Sequence, residues 1–187
     1  MTKIAVVYHS GYGHTAAQAA AVARGAKKVA GAEVVLLTSE EAQKWELLAD
    51  ADAIIFGSPT YMGSASAPFK AFMEASSGLW YAQSWKDKVA AGFTTSASQS
   101  GDKLNTLIQL AVFAAQHGMI WVGLDLLPGN NSSKGSVNDL NRLGSFLGAM
   151  AQANNDQGAD VAPIASDLLT AEHLGERVAT ITKRLRG

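Results

Sequence analysis

The chain has 187 residues, 48% of them hydrophobic, and a formal net charge of −1 at pH 7. Fifteen Lys and Arg against 16 Asp and Glu leave no basic excess for nucleic acid or an anionic membrane, and no acidic face for steering electron-transfer partners. With no Cys, disulfides, thiolate nucleophiles, zinc–thiolate sites and iron–sulfur ligation are all excluded, so any redox chemistry must come from a bound cofactor.

The length predicts a single domain, residues 1–187, around one sizeable core. In chain order, short apolar runs occur at Ile4–Tyr8, Val34–Leu37, Ala53–Phe56, Val89–Phe93 and Met119–Val122. They are continuous rather than alternating, which suits strands buried on both faces of a parallel sheet. Residues 15–30 are rich in alanine and predict a helix that packs closely on that sheet. Leu104, Leu107, Ile108, Ala111, Val112 and Ala115 recur at helical spacing over 103–117, and Gly118 supplies a C-terminal cap. Residues 125–160 break the alternation with Pro128-Gly129, Asn130-Asn131 and Asn154-Asn155, leaving one short helical candidate at 139–150. Leu174, Val178, Ile181 and Leu185 mark the last helix. The reading is a doubly wound α/β domain with a five-stranded parallel sheet. The apolar start is too short for a signal peptide and no run approaches the roughly 20 residues of a membrane span. A soluble, cytoplasmic protein is expected.

In such sheets ligands sit beyond the carboxyl ends of the strands, which selects three loops. After strand one come Ser10, Gly11, Tyr12, Gly13, His14 and Thr15. Glycines let backbone N–H groups converge on an anion, while two hydroxyls and a helix N-terminus add donors: a phosphate cradle. The Walker lysine is absent, which disfavours nucleoside-triphosphate hydrolysis. A rival reading takes Gly11, Gly13 and Ala16 as a dinucleotide fingerprint, with Glu40 or Glu41 as the ribose acid. After strand three come Pro59, Thr60, Tyr61, Met62 and Gly63; after strand four come Thr95, Ser96, Ala97, Ser98, Gln99 and Ser100. Either loop alone reads as turn and capping chemistry, with Ser100 or Asp102 capping helix 103–117. All three at adjacent strand ends favour a phosphate-bearing, flat ring cofactor. No His, Asp or Glu group has metal-ligand spacing, so no metal is expected, and no serine sits in a nucleophile elbow.

On these motifs the chain resembles the flavodoxin-fold WrbA-type NAD(P)H:quinone oxidoreductases. Ser10, Gly13 and His14 match the family's phosphate loop. Gly57 to Gly63, Gly78-Leu79-Trp80, Phe93 to Ser100 and His117-Gly118-Met119 match later motifs, in order, over most of residues 1–123. The resemblance implies a flavodoxin-like sheet that binds FMN. Ser10 to Thr15 would hold its phosphate. Pro59 to Gly63, Thr95 to Ser100 and His117 would hold the ring, with His117 also the catalytic candidate. Tyr12 would face the nicotinamide, and Trp80 would line the substrate pocket. The implied reaction passes two electrons from NADH or NADPH to a quinone, and the implied assembly is a homo-oligomer, a tetramer or dimer. Trp80, Tyr81 and Trp85 crowd one stretch, as interface anchors would. Tyr61-Met62 stand where the family carries Arg-Phe, which removes a cation near the ring. The alternatives are a flavodoxin-type electron carrier and a protein that binds a dinucleotide through the first loop alone.

Overall fold

A computed structural model describes residues 1–187. Its strands are β1 (Thr2–Tyr8), β2 (Ala32–Thr38), β3 (Ala53–Tyr61), β4 (Ser64–Ala65), β5 (Val89–Ser96), β6 (Ile120–Trp121) and β7 (Ala149–Gln152). Its helices are α1 (His14–Lys27), α2 (Glu46–Ala49), α3 (Ala67–Ala75), α4 (Ser77–Tyr81), α5 (Lys103–Gln116) and α6 (Ala165–Arg186). The sheet runs β2-β1-β3-β5-β6, every pairing on that path parallel. Parallel neighbours require crossover connections, and helices supply most of them.

Double burial holds for β1, β3 and β5, whose central residues are almost all buried. It fails for β2, where Val35 and Leu36 remain exposed, because β2 is an edge strand. On one face, α1 and α6 pack over Ile4, Val6, Ile55 and Phe93. Here the helices nearly touch: a Cβ on Gly175 would lie 1.9 Å from the Val22 carbonyl oxygen. On the other face, Phe56, Phe69, Phe72, Trp85 and Phe113 form an aromatic core beneath α3 and α5.

The fifth strand position is split. β6 pairs with Val89 and Ala90 at the start of β5, the chain leaves the sheet, and β7 returns to pair with Phe93–Ser96. The helical candidate at 139–150 is therefore a misreading: the segment is turns leading into β7. Its turns are fixed by side chains instead. Asn141 donates Nδ2 to the carbonyls of Leu126 and Ser145, each at 2.9 Å. Gly118 does close α5, at φ +68°, with the Met119 amide bonded to the Ala114 carbonyl. Asp102 does not cap it; this residue adopts φ 53° and makes no side-chain cap bond.

Candidate cofactor site

At the carboxyl ends of β1, β3, β5 and β7 lies a cavity of about 580 Å³. Of the expected residues, Ser10, Tyr12, His14, Thr15, Pro59, Tyr61, Thr95, Ser96 and Ala97 line it. Ser10 Oγ accepts from the Gly13 and Ala16 amides, both at 3.1 Å, so its proton is left to donate. Gly13 stands at φ +90°, a left-handed turn that glycine adopts without strain. With the Ala16 amide on Ser10 Oγ, the His14 and Thr15 amides at the start of α1 are left with no acceptor within the helix. Their N–H groups, the Ser10 and Thr15 hydroxyls and the positive end of α1 form a neutral donor set for an anion. That set fits a phosphate monoester such as that of FMN.

The second loop is a hairpin. β3 turns through Met62 (φ 49°) and Gly63 (φ 78°) into β4, the two-residue turn with both φ positive. α5 holds it: Asn105 Nδ2 donates to the Gly63 carbonyl at 2.7 Å, and the Ala65 amide donates to Gln109 Oε1 at 3.1 Å. The hairpin carries Tyr61 against Tyr12, edge to face at 6.3 Å with the ring planes 72° apart, and these two rings wall one side of the cavity with aromatic surface. Burial, then the nearby Tyr12, holds the Tyr61 phenol above its ordinary pKa. Met62 points fully into solvent, and Gly63 does not reach the cavity.

Thr60 lies under the wall, where its Oγ1 bonds those of Thr94 and Thr106 at 2.8 Å each, tying the hairpin to β5 and α5. Thr95 Oγ1 donates to Gln18 Oε1 at 2.6 Å. Ser98 gives its carbonyl to Lys103, and Gln99 and Ser100 face a neighbouring groove rather than the cavity.

His117 and Trp80 are not brought to this cavity. α5 begins beside the third loop and its 14 residues carry the chain about 20 Å to the amino ends of the strands, where His117 ends it. The His117 ring packs against Trp85 at 4.4 Å and Phe113 at 4.9 Å, with Nε2 bonded to Ser76 Oγ at 2.9 Å. Ser76 Oγ donates to the Met73 carbonyl, so His117 Nε2 carries the proton and the buried Nδ1 has no partner. Burial lowers its pKa to about 4. Trp80, on α4, is 48% exposed; Trp85 is a core residue.

Ala153, Asn155, Gln157 and Gly158 also line the cavity and had no signal in the strand–helix pattern. They follow β7, and the Gln157 carbonyl meets His14 Nε2 at 2.7 Å, closing the cradle from a distant segment. Only the recognition of β7 as a strand ending beside β5 would have pointed to them. No group of three or more His, Asp or Glu side chains is placed to hold a metal. No helix is long and apolar enough to cross a membrane.

An anion cradle and an aromatic wall at the crossover of a parallel sheet define a nucleotide-cofactor protein of the flavodoxin type. Comparison with known proteins agrees. The family model described as NADPH-dependent FMN reductase matches residues 37–131. Flavodoxin FldP of Pseudomonas aeruginosa is 45% identical over 188 residues, covering 99% of each chain. An NAD(P)H dehydrogenase (quinone) of Geotalea uraniireducens is 35% identical over 207 residues, covering 98% of each. Among solved structures, a WrbA-like flavodoxin from Agrobacterium tumefaciens superposes with TM-score 0.76 at 40% identity, over 98% of this chain and 99% of the other. The chain belongs to the NADPH-dependent FMN reductase family, as a WrbA-type flavodoxin-fold flavoprotein. It is an FMN oxidoreductase, with FMN as cofactor and NAD(P)H as electron donor.

Proposed function

We propose that the protein transfers two electrons from NAD(P)H to a quinone through FMN held in the 580 Å³ cavity. Bound FMN supplies a ring that takes hydride from the nicotinamide and passes the electron pair to the acceptor. The Ser10 and Thr15 hydroxyls and the His14 and Thr15 amides bind the phosphate. The Tyr61 hairpin and the 95–97 segment flank the ring, and Tyr12 covers the face open to substrates. The chain needs no nucleophile of its own for this chemistry; it orients rings and excludes water. The supporting observation is the coincidence of the uncharged anion cradle with the Tyr12–Tyr61 wall in one cavity.

The dinucleotide alternative loses support at Glu41. Its Oε2 is tied to the Thr38 amide and hydroxyl, at 2.8 and 3.0 Å, and neither Glu40 nor Glu41 lines the cavity. The electron-carrier alternative draws support from the likeness to a protein named flavodoxin. Net charge near zero counts against it, because steered encounter with a redox partner needs a charged face. A homo-oligomer with Trp80 of one subunit at the substrate pocket of another remains part of the proposal. It is supported by the exposure of Trp80 and Tyr81 beside each other on α4. The deciding experiment mixes FMN-loaded protein with NADH or NADPH without oxygen, then adds a benzoquinone. Bleaching by the nicotinamide and recovery by the quinone, in equal molar amounts, are expected. A flavin that neither nucleotide reduces would establish the carrier instead.

A further inference from the structure

The third loop is closed from behind by a buried cation. Lys103, the first residue of α5, is fully buried, and its Nζ donates to Ser96 Oγ at 2.7 Å, the Ser98 carbonyl at 2.9 Å and the Gln99 carbonyl at 2.7 Å. These three bonds exhaust the ammonium's donors, and every acceptor belongs to one loop. No carboxylate pairs with it. The other internal cation, Arg142, is by contrast matched bidentately to Asp167 at 2.8 Å. The cavity on the far side of the loop has no Asp, Glu, Lys or Arg in its lining. Lys103 is therefore an unpaired positive charge one hydroxyl behind the Ser96 wall of an otherwise uncharged site.

We propose that Lys103 is a positioning residue for the cofactor: it fixes the Ser96–Gln99 loop and presents a positive charge that favours the reduced, more negative flavin. The inference rests on FMN occupying the cavity. A neutral donor would close the loop without desolvating an ammonium, so closure alone does not explain a cation here. What a cation adds is an electrostatic difference between the oxidised and reduced ring. Hydride delivers two electrons and one proton, so the nicotinamide leaves as the oxidised cation and one negative charge is added at the site. A fixed charge near a flavin is a recognised means of setting its potential. Charged groups facing Lys103 are few. Asp167 on α6 and Arg142 on the 123–148 segment neutralise one another, and Asp102 beside it is exposed. Burial brings the Lys103 pKa down to about 8, with Asp167 opposing the shift and Arg142 adding to it, so the charge is present at neutral pH.

The test measures binding of oxidised FMN and the two-electron midpoint potential in wild type, Lys103→Met and Lys103→Gln. Both variants should bind reduced FMN, relative to oxidised, about tenfold more weakly than wild type, a fall of about 30 mV. Lys103→Gln, which keeps a donor for the loop, should lose the potential while retaining more of the affinity for oxidised FMN. Unchanged potentials in folded, FMN-loaded variants would overturn the proposal and leave Lys103 a structural clasp. If neither variant folds, wild type answers alone. Its potential, taken relative to free FMN, should drop as pH rises through about 8, and a flat offset would overturn the proposal. Wild type that binds no FMN would overturn the proposed function as well, a result separable from the others because it precedes any variant.

Discussion

His117 makes acid stability a sharp prediction. Its ring is sealed between Trp85 and Phe113, Nδ1 is buried without a partner, and burial holds its pKa at about 4 against 6.5 in the unfolded chain. The native state therefore keeps this imidazole neutral while the unfolded chain protonates it. Below pH 6.5 unfolding takes up a proton, so stability that is complete above the unfolded value is lost as pH falls toward 4. Integrating between pH 7 and pH 5 gives a loss of about 2 kcal/mol from this one group. The perturbation is His117→Phe, which suits the aromatic slot and strands no donor, since Ser76 Oγ still donates to the Met73 carbonyl. Urea unfolding of both proteins at the two pH values isolates the effect, because carboxylate contributions are common to both and cancel. Wild type should lose about 2 kcal/mol more than the variant on acidification. Equal losses would refute the account, showing that His117 is hydrated or is protonated in the fold.

Three further outcomes follow from the geometry. Gly13→Val places a Cβ at φ +90°, 2.9 Å from the Ala159 Cβ, so calorimetry should show FMN affinity lowered by about tenfold or more in a folded protein; wild-type affinity would remove the cradle assignment. Asp167→Asn leaves the buried Arg142 guanidinium without its counter-charge and weakens the bond from the Gln152 amide, so urea unfolding should report a loss of about 3 kcal/mol, and one below about 1 kcal/mol would refute it. Gly175→Ala should lower stability by about 1–3 kcal/mol, seen as a reduced melting temperature, although alanine is the better helix former; a gain would show that α1 and α6 separate without penalty.

The sequence made the first two-thirds of the fold legible because its strands are nearly unbroken apolar runs and its glycine turns fall directly after them. The apolar runs that start at Ala53 and Val89 start where β3 and β5 do. The miss at 139–150 has a physical cause. β7 contributes four residues, Ala149–Gln152, with only alternate side chains buried, too short and too weakly apolar to stand out beside turn residues. The site divides in the same way. Cradle and hairpin residues are signalled by local backbone demands, whereas Asn155 and Gln157 reach the cavity only through contacts across the fold. Lys103 was invisible because a lysine at a helix start ordinarily reads as solvated surface. Asp52 is a smaller case of the same kind: an acidic residue just before an apolar run, it accepts from the Lys3 amide at 2.8 Å and pairs with Arg186.

Why the chain interrupts its fifth strand follows from what the return delivers. A continuous strand after Trp121 would complete the sheet and end there. By leaving at Gly123 and re-entering at Ala149, the chain brings Arg142 to Asp167 in the interior and sets Gln152 at the carboxyl end of β5. Gln152 then donates Nε2 to the Ala97 carbonyl at 2.9 Å, while its own amide donates to Asp167 Oδ2 at the same distance. The third loop is thus gripped from α5 by Lys103 and from β7 by Gln152, and the segment beyond β7 closes on His14. Backbone groups of a cofactor loop have weak intrinsic order, and a site that must recognise a ring needs them held before binding. The excursion over 123–148 is the means by which α6 and the far edge of the sheet supply that order.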